Sequence, residues 1–140
     1  MRRLALLLVV MLFAGCSREP YRIAPVSGRV TLDGKPLANA AVVFSPLATK
    51  DSNDPGPGSG AKTDAAGRFA LTIVGKETKG AVVGKHKVRI TMIPEVDPND
   101  DRPQRSKQPL PPRYSGKDTT LEFEVLPSGN NNADFNLTSS

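Results

Sequence analysis

The chain has 140 residues, 38% hydrophobic and 24% charged, enough for one folded domain with a real core and against disorder throughout. Thirteen prolines, twelve glycines, no tryptophan and 5% aromatic residues describe a loop-rich chain poorly equipped to stack on polysaccharide. The formal charge of +5 includes Arg2 and Arg3; beyond them 17 basic and 14 acidic residues are mixed along the chain, without basic blocks alternating with aromatics, so no nucleic-acid partner is expected.

Met1-Arg2-Arg3 is a positive start, Leu4 to Phe13 an apolar run, and Ala14-Gly15 a small pair before the only cysteine, Cys16, which together have the form of an export signal. A helix of about ten residues rises only about 15 Å, half of a hydrocarbon core, so this run reads as a transient leader rather than a permanent span. The ending LFAGC resembles the lipobox of bacterial lipoproteins, with Phe13 where leucine is usual. That resemblance implies cleavage between Gly15 and Cys16 and acylation of the Cys16 sulfur, anchoring the mature chain in a membrane. A plain secretory leader is the alternative. The polar SREP that follows argues against a buried cysteine, and His86, the only histidine, is the one base a nucleophilic cysteine could have. Residues 1–15 are thus expected to be signal peptide and 16–25 a tether. Ser17 after the anchor, where some bacteria use aspartate for inner-membrane retention, favours an outer membrane if the cell has one.

From Val26 the apolar residues recur with period two, the spacing of strands with one buried face. VSGRVTL places Val26, Val30 and Leu32 on one side, and Asp33-Gly34 signals a tight hairpin from which AAVVFS is expected to return, with Ala40, Val42 and Phe44 inward. A proline- and glycine-rich loop, 47–60, precedes AKTD, the turn DAAG and the strand RFALTIV with Phe69, Leu71 and Ile73 inward. KHKVRITMI places Val88, Ile90 and Met92 inside, with His86 in phase. Its outward Lys87 and Arg89 are able to pair with Glu122 and Glu124 of LEFEV if the two strands are neighbours. Between them lies a second long loop, 94–117. After LEFEV, which turns Leu121, Phe123 and Val125 inward, PSGNNN turns and ADFNL closes with Phe135 and Leu137. Outside the leader no segment shows a helical period. The expected fold is all-β: an immunoglobulin-like or prealbumin-like antiparallel sandwich of about seven strands over residues 26–140.

VSGRVTLDGKPLANAAVVF, TDAAGRFALTI and GKHKVRI, in this order, resemble the opening hairpin, turn and later strand of carboxypeptidase-regulatory-like (transthyretin-like) domains, with His86 at a usual tyrosine position. The closing PPRYSGKDTTLEFEVLPSGNNNADFNL is similar to the tail of bacterial lipoproteins carrying that domain. The resemblance implies a non-catalytic module. A related hydrolytic branch depends on several histidines and a distinctive C-terminal motif, whereas this chain has one histidine and ends in NLTSS.

The remaining side chains give no nucleophile with a base and no phosphate loop, so no enzyme activity and no cofactor are expected. Zinc lacks ligands. Asp51, Asn53 and Asp54, and Asp97, Asn99, Asp100 and Asp101, cluster oxygen atoms in loops, yet as calcium loops they fail at Pro55, Lys62 and Arg102, so solvated loops are expected. Tyr114 is expected to pack its ring under a loop with its hydroxyl on backbone, rather than to serve as a sugar platform. The expectation is a monomeric, lipid-anchored, non-catalytic structural or protein-interaction module of the bacterial cell envelope. It would face the periplasm or exterior, with the loops 47–60 and 94–117 as working surface and an unidentified envelope protein or glycan as partner. The alternative is a small-ligand or carbohydrate-binding lipoprotein serving a transport or degradative complex.

Overall fold

The computed structural model describes residues 15, 20–51, 53–106 and 108–140. The apolar leader and Cys16 lie outside this set, so neither the signal segment nor the anchor is described. Among the described residues no helix is long and apolar enough to cross a membrane.

Alternation dictates the strands. In β2 (Ser27–Leu32) Val30 is sealed while Arg29 is exposed, and in β4 (Ala40–Pro46) Ala40, Val42 and Phe44 are sealed in turn. In β9 (Gly84–Met92) the buried positions are His86, Val88 and Ile90. One face of each strand must therefore be covered by another layer, and two sheets satisfy that need. The larger sheet runs β10 (Glu122–Val125), β9, β4, β5 (Ser59–Lys62) and β7 (Thr72–Ile73). The smaller holds β11 (Phe135–Leu137), β2 and β3 (Lys35–Pro36), with β6 (Arg68–Ala70) also paired to β2. β1 (Ile23–Ala24) and β8 (Ala81–Val82) add a two-stranded ribbon. The pairing thus begins inside the stretch that sequence assigns to the tether.

Four of the five phenylalanines join the layers. Phe44 and Phe123 come from the larger sheet, Phe69 and Phe135 from the smaller, and Phe135 lies 6.0 Å from both Phe44 and Phe123 and 6.3 Å from Phe69 between ring centroids. Tilted and offset rings at this spacing are the favoured geometry for aromatic packing.

The all-β sandwich is as the alternation predicts, but three pairings differ from it. The turn at Asp33 (φ 50°) and Gly34 (φ 81°) forms, yet the returning strand is only Lys35–Pro36. Pro36 has no N–H to extend the ladder, and Asn39 takes φ 58°, where its amide donates to Thr63 O and its side-chain nitrogen to Ile93 O. The chain crosses there, and β4 pairs with β5 and β9 in the other sheet. Second, RFALTIV is divided at Leu71, with β6 on β2 and β7 on β5. Third, β11 runs parallel to β2, against the all-antiparallel expectation. The helix α1 (Pro112–Ser115) is a single turn, too short to display a helical period, with proline in the first turn, where a missing N–H does no harm.

The two long loops leave opposite ends of the larger sheet. Pro46 pairs with His86 and Ala40 with Met92, so the segment after Pro46 and the segment after Met92 start about 20 Å apart, at the two ends of a seven-residue strand.

Candidate functional site

Of the residues singled out by sequence, Gly15 is exposed and lies in no strand or helix, and Cys16 is outside the described set. His86 is fully buried, its ring 5.5 Å from that of Phe44. Its Nε2 lies 2.6 Å from Val82 O, and because a carbonyl only accepts, Nε2 carries the hydrogen. Nδ1 is buried without a partner among the described residues. Burial pushes the imidazole pKa below its ordinary value, against the weaker upward pull of the Val82 bond. This is a neutral core histidine with one nitrogen left over, not an accessible base.

Tyr114, on α1, buries its ring and accepts a hydrogen bond from Thr138 N at 3.2 Å. Arg113 stacks over the same ring at 4.7 Å and donates to Thr138 O and Ser140 O, both at 2.8 Å. The Thr138 contacts and then Arg113 hold the phenol at about 8. This constellation pins the chain after β11 to α1. Thr119 Oγ1 donates to Val88 O at 2.8 Å, tying the segment after α1 to the edge of β9.

The acidic loops close on themselves. Asp100 receives Arg102 through Nε and Nη2, each at 2.8 Å, which lowers its carboxyl to about 2. Asp97 accepts from Asn99 N and Asp54 from Gly56 N, as short polar side chains do in turns. Among the described residues no three His, Cys, Asp or Glu side chains converge in a way that would hold a metal ion. The expected pairs across β9 and β10 shift by two residues along β9. Glu122 faces Lys87 and Glu124 faces Lys85, leaving Arg89 beyond the end of β10.

A further concavity is formed by residues remote from one another in sequence. A groove of about 580 Å³ runs over the outer face of the smaller sheet, between β2, β6, the end of β5 and the segment 131–134. Arg29 on β2 and Arg68 on β6 stand directly opposite each other across the antiparallel pair, both exposed, and Lys62 stands on the rim. The next pair along that face is Ser27 with Ala70, small side chains that leave the floor open. Gly28 is required here for a steric reason: a Cβ would come 2.1 Å from Ala133 O. Without one, Ala133 N donates to Ser27 O at 3.0 Å, and the wall carrying Asn131 and Asp134 lies close on β2.

Both acidic residues of the groove are engaged with backbone. Asp134 accepts from Arg29 N at 2.9 Å, and Asp64 accepts from Ala66 N and Arg68 N, each at 2.9 Å, closing the tight turn before β6. Among the described residues no carboxylate lies within ion-pair distance of Arg29, Lys62 or Arg68. The arrangement offers two planar guanidinium groups and an ammonium around an open floor, which suits binding rather than bond making. No family model matches the chain, nor does any curated protein or solved structure.

Proposed function

We propose that the protein is a lipid-anchored, extracytoplasmic β-sandwich that serves as a non-catalytic structural or protein-interaction module of the bacterial cell envelope. The resemblance to carboxypeptidase-regulatory-like domains belongs to this reading. The observation that carries it is the LFAGC ending after a positive start and an apolar run, with the folded body following close behind. Ile23, the first residue of β1, lies seven positions after Cys16. Seven fully extended residues reach at most about 25 Å, so an acylated Cys16 would keep the sandwich close to the lipid surface. A metabolic fatty-acid label tests the anchor. The wild-type chain is expected to take up label and sediment with membranes, and Cys16→Ser to do neither; unchanged sedimentation of the variant would overturn it.

The groove over β2 and β6 favours a second reading, a lipoprotein that holds a small ligand. Its volume falls within the usual range of small-molecule sites, and its lining combines cations with a small-residue floor.

A further inference from the structure

Resting on that second reading, we propose that the groove over β2 and β6 binds an oxyanion, a carboxylate or phosphate group carried on a small ligand, clamped between Arg29 and Arg68. Like charges directly opposite each other on one sheet face repel, and neither Arg29 nor Arg68 has a carboxylate within ion-pair distance among the described residues. The two nearby acids, Asp64 and Asp134, offset part of this charge through space, but the oxygens they commit go to backbone N–H groups and neither carboxylate reaches a guanidinium, so the groove keeps a net positive charge from Arg29, Arg68 and Lys62. An oxyanion between the guanidinium forks would satisfy both at once, and the planar forks match carboxylate and phosphate geometry. Lys62 adds a third cation at the rim. Ser27 and Ala70, the neighbouring pair on the same face, leave room for the body of the ligand, and Asn131 offers it a polar amide.

The arginines are placed by rigid parts. Arg29 sits in the middle of β2, whose neighbours include β6 and β11, and Arg68 follows a turn held by Asp64 and by the bond from Gly67 N to Asp64 O at 2.9 Å. The backbone positions of the clamp are therefore set before any ligand arrives, and what binding must still order is the two exposed side chains.

The test is titration of the full chain, held in a non-ionic detergent, with citrate, with pyrophosphate and with maltotriose as an uncharged control. Binding is followed by calorimetry and by the amide resonances of Gly28, Ala70 and Asn131. The expected result is that one or both anions bind and move these resonances, while maltotriose does not; the tighter anion shows whether carboxylate or phosphate is the group recognised. Arg29→Gln and Arg68→Gln should each weaken binding by about tenfold or more, and raised salt should weaken it further. Neither variant should lower the melting temperature without ligand, because each removes a like-charge opposition. Anions that bind both variants as tightly as the wild type would overturn the proposal. Maltotriose moving the groove resonances where the anions do not would overturn the oxyanion while keeping the groove as a ligand site. Silence from all three probes would overturn the oxyanion and count against the small-ligand reading as well.

Discussion

Two buried side chains, His86 and Tyr114, are displaced from their ordinary acid–base chemistry. The buried His86 is neutral in the fold, and an unfolded histidine takes a proton near its unperturbed value of about 6.5. Below that value the unfolded chain binds more protons than the folded one, so stability falls as the pH drops; above it His86 contributes no pH dependence. One proton limits the slope to about 1.4 kcal/mol per pH unit. Denaturant melts between pH 7.5 and 5.5 are expected to show this loss in the wild type, and His86→Phe to flatten it; an equal slope in the variant would place the effect elsewhere. Tyr114 is shifted down as well, though by a different cause, its phenolate being favoured by the Thr138 contacts and then Arg113. Ultraviolet titration should find one of the two tyrosines ionising near pH 8, a step absent from Tyr114→Phe. The burial of both residues was legible in sequence, His86 from its phase with Val88 and Ile90. The stranded Nδ1 was not, because no local pattern tells which ring nitrogen finds a carbonyl.

At the scale of elements, period-two alternation says which side chains of a strand turn inward, but it is silent on the neighbour. Val30, Val42, Phe44, Val88 and Ile90 are inside as their spacing predicts. The choice of partners depends on particular residues that act over distance: Pro36 and Asn39 send β4 to the other sheet, and Gly28 lets the segment before β11 lie close on β2, where β11 pairs in parallel. The groove was hidden for the same reason, since Arg29 and Arg68 are remote in sequence and meet only through the β2–β6 register. Gly28 is accordingly the position where this element pairing is most sensitive. Gly28→Ala forces Ala133 to move and should destabilise by about 2 kcal/mol or more in urea unfolding. Gly60→Ala, where the nearest atom to a new Cβ is Val42 O at 3.5 Å, should stay within about 1 kcal/mol of wild type. Equal costs at the two positions would contradict the close approach of segment 131–134 to β2.

At the scale of the whole molecule, a sandwich closed by phenylalanines from both sheets presents the outer face of each sheet and the long loops that leave opposite ends of the larger one. The smaller sheet's face combines a groove of about 580 Å³ with cations that lack an ion pair among the described residues. On the proposed reading, an acylated Cys16 would hold the body within a short tether's reach of the membrane, and a ligand or partner would be met near the lipid surface. Everything in this account that concerns place depends on Cys16. Mass spectrometry of the N-terminal peptide of the protein purified from membranes tests that dependence most directly. The expected result is a chain beginning at Cys16 and carrying acyl groups on that residue. A chain that begins elsewhere, or a Cys16 without lipid, would contradict it.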